Sequence, residues 1–149
     1  MSTLRCVIDA SVCLKYFIPD PLSAQVDQLL EHLIIPETAI YIPDLFYIEC
    51  ANAFWKYARA GQLTAEQVRV NLRTLKAFPL RVVSTAELME ETVNVSLTYG
   101  ITAYDACYVV LSQQVKAPLL TLDQKLFNSL DSSSYDVQLF TSFTIPDLE

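Results

Sequence analysis

The sequence predicts an α/β fold, a mainly parallel sheet with helices on both faces. Three observations carry this. Short apolar runs alternate along the chain with longer stretches of helical periodicity. Those runs are continuously apolar, as strands buried on both faces must be. Hydrophobic residues make up 52% of the 149 residues and charged residues 18%, enough for a full core and against disorder. Residues 1–149 are expected to form one domain.

The elements follow in order. Residues 4–8 read as a buried strand that stops at Asp9. A helix spans about 21–32, with Leu22, Val26, Leu29 and Leu30 at helical spacing. Residues 40–42 form a second strand, and Pro43 suits the first turn of a helix that runs to about residue 60, with Gly61 as its stop. Thr64 and Gln67 make a capping-box pattern for a helix to about 78. A strand at 80–83 leads to a helix capped by Ser84 or Thr85 and closed by Gly100. Thr102 opens a further helix to about 115. A strand at 118–122 ends beside Asp123, a short helix covers 124–130, the DSSS stretch at 131–134 is a loop, and 137–140 is the last strand.

Composition narrows the function. No apolar run is long enough to span a bilayer, and Asp9 and Lys15 interrupt the first apolar stretch, which argues against a signal peptide. Cys6, Cys13, Cys50 and Cys107 form no CxxC pair and read as small buried hydrophobes of a reducing cytoplasm. His32 is the one histidine, expected in a packing role, so a Cys/His zinc site has no ligand set. The net charge of −7 opposes simple electrostatic capture of nucleic acid. Six of the ten basic residues nevertheless fall in one stretch: Lys56, Arg59, Arg69, Arg73, Lys76 and Arg81, with only Glu66 to oppose them. Taken alone, that stretch is as well explained by a solvated helical face.

The chemistry points to four carboxylates. Asp9, Glu49, Asp105 and Asp123 each sit in an apolar run, where an unpaired charge costs several kcal/mol. Few cations lie near them in sequence: Lys15 and Lys125, with Arg5 and Lys56 at the margins. Asp9 and Asp123 close predicted strands, the rim where open α/β sheets bind ligands. Glu49 and Asn52 are three apart on one helix face, and Lys56 continues it. Each carboxylate also has a structural reading. Asp9 suits a turn, Glu49 a glutamate reaching solvent from an amphipathic helix, Asp105 pairs with Thr102 in a helix cap, and Asp123 suits an N-cap. Together on one rim, the four fit a hard divalent cation such as Mg²⁺ or Mn²⁺, and with no histidine or cysteine to act, metal-assisted phosphodiester hydrolysis is the chemistry they best support.

Four short motifs carry a resemblance: V-I-D-A-S-V at 7–12; P-x-x-x-x-x-E-x-x-N from Pro43 through Glu49 to Asn52; Y-D-A-x-Y from Tyr104 to Tyr108; and L-x-T-x-D-x-x-L from Leu119 to Leu126. In this order and spacing they resemble the PIN-domain ribonucleases, most closely the VapC-type toxins of toxin–antitoxin pairs. The resemblance implies a three-layer α/β/α sandwich and a cytoplasmic RNA-cutting enzyme using Mg²⁺ or Mn²⁺, which leaves a 3′-hydroxyl and a 5′-phosphate. It implies that Asp9, Asp105 and Asp123 hold the ion, and that Glu49 positions a water or a second ion. Ser11 would bond a coordinated water or phosphate, Asn52 would orient the cluster or the substrate, and Thr121 would support the strand end. The two helices after Glu49 would form an arm, making Lys56, Arg59, Arg69 and Arg73, with Lys15, candidates for RNA, antitoxin or dimer contacts. Pro19-Asp20 stands where many relatives carry a glutamate, and Asp20 is given no role. Phe46, Tyr47, Phe54, Trp55 and Tyr57 read as core or interface residues. A homodimer and an antitoxin partner are expected.

Two other classes compete. One is a catalytically silent module of the same fold that binds RNA or protein. The other is aspartate phosphotransfer, but a dehalogenase-like phosphatase needs a second aspartate where Ser11 stands, and a receiver domain needs an acidic pair where only Asp9 is present.

Overall fold

The computed structural model describes residues 3–148. Five strands, all parallel, form one sheet in the order β3-β2-β1-β4-β5: β1 Arg5–Ile8, β2 Ala39–Pro43, β3 Arg81–Val83, β4 Leu119–Thr121 and β5 Val137–Leu139. Seven α-helices connect them among the described residues: α1 Ala10–Phe17, α2 Ser23–Glu31, α3 Leu45–Arg59, α4 Ala65–Ala77, α5 Thr85–Tyr99, α6 Ala103–Val115 and α7 Gln124–Ser129.

The path of the chain sets the layers. It runs outward from β1 to β2 and β3, then returns across β1 to β4 and β5. Right-handed crossovers put the first four helices on one face and the last three on the other. The packing agrees: α1 lies against α2 and α3, and α3 against α4, whereas α5 packs along α6 and α6 covers β1, β2 and β4. The three-layer α/β/α sandwich expected from the sequence is the observed fold. Ile8, Ile40, Ile42, Leu119 and Leu120 of the strands are fully buried, and Phe46 and Phe54 of α3 fill the space above them. Because β1 is where the strand order reverses, the crevice between the carboxyl ends of β1 and β4 is the topological switch point.

Three local expectations need correction. Residues 10–20 carry no predicted element, yet α1 forms there with Asp9 as its N-cap. Pro43 ends β2 opposite Val83 and does not open the helix; Asp44 stands at the N-cap position of α3, its carboxylate accepting the Thr85 N–H and making no cap bond. The pairing of β2 with β1 has already stopped at Tyr41, so the missing N–H of Pro43 breaks no bond on that side. The last strand closes at Leu139, and Phe140–Ser142 turns as a 3₁₀ helix. The remaining signals hold: Thr64 and Gln67 form a reciprocal capping box, and Gly100 ends α5 at φ +69°, a conformation that favours glycine.

All four cysteines are buried and free. Burial pushes the thiols of Cys6 and Cys13 up to about 12 and that of Cys107 up to about 11, so none is a ready nucleophile. His32 is buried as a packing residue. Its ring nitrogens lie 3.0 Å from the Gln28 carbonyl and 2.8 Å from the Pro146 carbonyl.

Candidate active site at the sheet switch point

Asp9 follows the last residue of β1, and its own N–H reaches the Leu120 carbonyl of β4 at 3.4 Å. Its carboxylate is held from three sides. Oδ1 accepts the Ser11 hydroxyl at 2.5 Å and the Val12 N–H at 3.2 Å; Oδ2 accepts the Thr121 hydroxyl at 2.5 Å. Thr121, fully buried at the end of β4, also accepts the Asp123 N–H at 3.0 Å. One threonine therefore ties the two strand ends together across the switch point. Asp123 in turn caps α7, accepting the Leu126 N–H at 3.1 Å.

The other two carboxylates come from the helices on either side. Glu49, on the second turn of α3, accepts a hydrogen bond at Oε1 from the hydroxyl of Tyr108 on α6. Asp105 lies in the first turn of α6, where Gly100 and the Thr102 cap aim the helix N-terminus; its N–H donates to Thr102 Oγ1 at 3.2 Å. Asp105 and Asp123 line a cavity of about 270 Å³ together with Gly100, Thr102 and Lys125.

The charges of neighbouring carboxylates act on one another. Burial raises the Asp9 carboxyl above its ordinary value, the Ser11 and Thr121 hydroxyls and the Val12 N–H pull it back, and the charge of Asp105 raises it again. Burial also raises Glu49; the Tyr108 hydroxyl opposes this, and Asp9 and Asp105 add to it. Asp105 is raised by burial and then by Asp123, with Thr102 lowering it. Three carboxylates are thus pressed toward their protonated forms, and each feels the charge of another. Among the described residues, no three Asp, Glu, His or Cys side chains stand close enough together to coordinate one ion directly.

The predicted supporting residues divide. Ser11 and Thr121 touch Asp9. Asn52 is exposed on α3 and, among the described residues, hydrogen-bonds none of the four carboxylates. Lys15 is committed to Asp20 at 3.1 Å. Lys56, Arg59, Arg69 and Arg73 are exposed on α3 and α4, with Arg69 paired to Glu66 at 3.0 Å. Sequence reasoning gave no role to two residues of the site, Tyr108 and Lys125. The spacing of Tyr108, three residues after Asp105 on one helix, was the available signal.

The five-stranded all-parallel α/β sandwich is a PIN-like fold. The PIN domain family model matches residues 6–132, and the chain belongs to that family. It is 34% identical over 125 residues to Ribonuclease VapC3 of Pyrobaculum aerophilum, a match covering 83% of this chain and 92% of the relative. Two solved structures share the fold. The crystal structure of PAE2754 from Pyrobaculum aerophilum superposes with a TM-score of 0.67 at 24% identity, over 86% of this chain and 87% of that one. A toxin–antitoxin complex from Klebsiella pneumoniae superposes at 0.57 and 15% identity, over 89% and 95%.

Proposed function

We propose that this protein is a divalent-metal-dependent endoribonuclease, the toxin of a toxin–antitoxin pair. The observation that carries the reading is Asp9. It is a half-buried carboxylate held by Ser11 and Thr121 at the switch point; its charge acts on Glu49, that of Asp105 acts on it, and that of Asp123 acts on Asp105. Kinship with Ribonuclease VapC3 supplies the reaction class.

The donor set fits Mg²⁺ or Mn²⁺. Its chemistry is oxygen only, and the pressure on its carboxylates to protonate is the response of acidic groups awaiting a counter-charge. Their spacing suits an ion that keeps several waters, since Mg²⁺ needs only one or two carboxylates. Asp9, Asp105 and Asp123 would hold it in part through its coordinated waters, and when bound it would supply an activated water and a counter-charge to the phosphate.

The chain's own groups do the rest. Ser11 spends its hydroxyl proton on Asp9 Oδ1, so toward a neighbouring water it offers lone pairs and not a donor. Tyr108 occupies Glu49 Oε1, which leaves Oε2 to orient a water. Asn52 and Lys56 continue the exposed side of α3 away from Glu49, suited to the substrate backbone. Met89, Val93 and Leu97 form an exposed apolar stripe at four-residue spacing on α5, which supports self-association into a homodimer.

The purified protein is expected to cut RNA in Mg²⁺ or Mn²⁺ and to stop in EDTA. Asp105→Asn should lose about 10²-fold or more in rate. Cleavage that survives both EDTA and that substitution would overturn the reading. Tyr108→Phe keeps the buried ring but removes the donor that lowers Glu49. We expect about a tenfold loss in rate and a shift of the acidic limb of the pH–rate profile to higher pH. An unmoved profile would detach Tyr108 from the chemistry.

A further inference from the structure

We infer that Trp55 and Arg59 on the outer face of α3 form a stacking platform for a base of single-stranded RNA. The inference rests on the ribonuclease reading for the identity of the ligand, and on the following geometry for its place.

Trp55 is the only tryptophan of the chain and is 52% exposed. The Arg59 guanidinium lies over its ring, 4.7 Å from the centroid, one helical turn on. Arg59 forms no ion pair among the described residues, whereas Arg69 on the neighbouring helix does. The indole is therefore oriented by a cation that no carboxylate has claimed, with half its surface still open to solvent. An aromatic ring and a guanidinium plane stacked at the surface are the two groups on which proteins stack unpaired bases.

The surroundings favour RNA over a protein partner. Ile48, Asn52, Trp55, Lys56 and Arg59 are all exposed on α3. Residues 52–81 hold six basic residues and one acidic, Glu66, which leaves four basic against sixteen acidic in the rest of the chain. This is the cationic stretch of an anionic protein, and two of its cations, Lys56 and Arg59, lie on α3, the helix that also carries Glu49. At 1.5 Å per residue, Trp55 lies about 9 Å and Arg59 about 15 Å along the axis from Glu49, close enough for nucleotides that flank the scissile phosphate.

The platform also answers a difficulty the site creates. Four carboxylates repel a polyanion, and a net charge of −7 adds no long-range attraction. Base stacking depends little on charge or sequence, so it anchors a strand where phosphate contacts alone are weak.

The sole tryptophan is its own probe. In EDTA, where nothing is cut, a short single-stranded oligoribonucleotide of mixed sequence is titrated into the full chain. Saturable quenching of tryptophan emission is expected, and an abasic oligomer of the same length should not reproduce it. Binding measured independently by anisotropy should weaken about tenfold in Trp55→Leu and less in Trp55→Phe. In Arg59→Ala binding should weaken by several-fold and the quenching should shrink, because the indole loses the guanidinium that orients it.

Emission that stays constant while the RNA binds or is cut would overturn the platform and leave the ribonuclease reading intact. Quenching without cleavage of any RNA in Mg²⁺ or Mn²⁺ would keep the platform and sink the ribonuclease reading. Emission that changes with protein concentration, or with an added antitoxin, but not with RNA would make this face a protein interface and overturn the inference.

Discussion

Asp9→Asn is expected to lower RNA cleavage by about 10²–10⁴-fold while leaving the melting temperature unchanged or higher. The substitution removes the charge and little else. Asparagine keeps a carbonyl oxygen to accept the Ser11 hydroxyl and the Val12 N–H, so the cap of α1 survives. On the other side its amide turns two protons toward Thr121, whose hydroxyl must swing its own proton away while still accepting the Asp123 N–H. The desolvated charge, which burial and Asp105 both penalise, disappears. Asp9→Ala makes the useful contrast. It loses the cap, a change of about 1 kcal/mol, and strands two hydroxyl donors, so stability and activity fall together. Assays of cleavage and thermal unfolding on both variants separate the roles. Cleavage by Asp9→Asn within tenfold of the wild type, with the fold intact, would remove Asp9 from the chemistry.

Asp9 also explains why so much of the site was legible in the sequence. A carboxylate that closes an apolar run has no place in a core, and its position at a strand end follows from the run alone. Asp123 was readable for the same reason, and Glu49 from its place in an apolar helix, whereas Asn52, picked out by the same spacing, is exposed and bonds none of the four carboxylates among the described residues. The structural readings hold for two of these residues, since Asp123 caps α7 and Thr102 bonds the Asp105 N–H, whereas Asp9, expected in a turn, caps α1. A helix start at a strand end supplies both a donor for the carboxylate and a place on the rim, so cap and functional candidate are the same residue.

What stayed hidden depends on the third dimension. Residues 10–17 mix β-branched, aromatic and apolar side chains without a clear period, so the turn from β1 straight into α1 left little trace. The bridge from Thr121 to Asp9 spans 112 positions and exists only because β4 pairs with β1. Of the five aromatics of α3, Phe46 and Phe54 share the buried face, whereas Trp55 turns outward. Composition groups them, and only the helix phase separates them.

The raised carboxylates make stability depend on pH and on metal in a linked way. Asp9, Glu49 and Asp105 bind protons more tightly in the folded chain than in the unfolded one. As pH rises from ordinary carboxylate values, near 4, through the raised folded values, the native state holds more protons than the unfolded state, so stability falls across that window. The metal-free protein should therefore melt at a higher temperature at pH 5 than at pH 7.5. Asp20 runs the other way: its Leu22 N–H and Lys15 contacts lower its pKa, and their contribution is lost only as pH falls below the ordinary carboxylate range, outside this comparison. A divalent cation selects the ionised carboxylates and so competes with the protons. At about a hundred times its dissociation constant it stabilises the fold by about 2.7 kcal/mol, which for a chain of this size corresponds to a rise of about 5–10 °C. The rise should be large at pH 7.5, small at pH 5 and absent in Asp9→Asn, whose metal-free form should already melt above the wild type at pH 7.5. Scanning calorimetry with Mn²⁺ or Mg²⁺ at the two pH values decides the matter, because equal increments at both, or an undiminished one in Asp9→Asn, would mean that the ion binds somewhere other than this cluster.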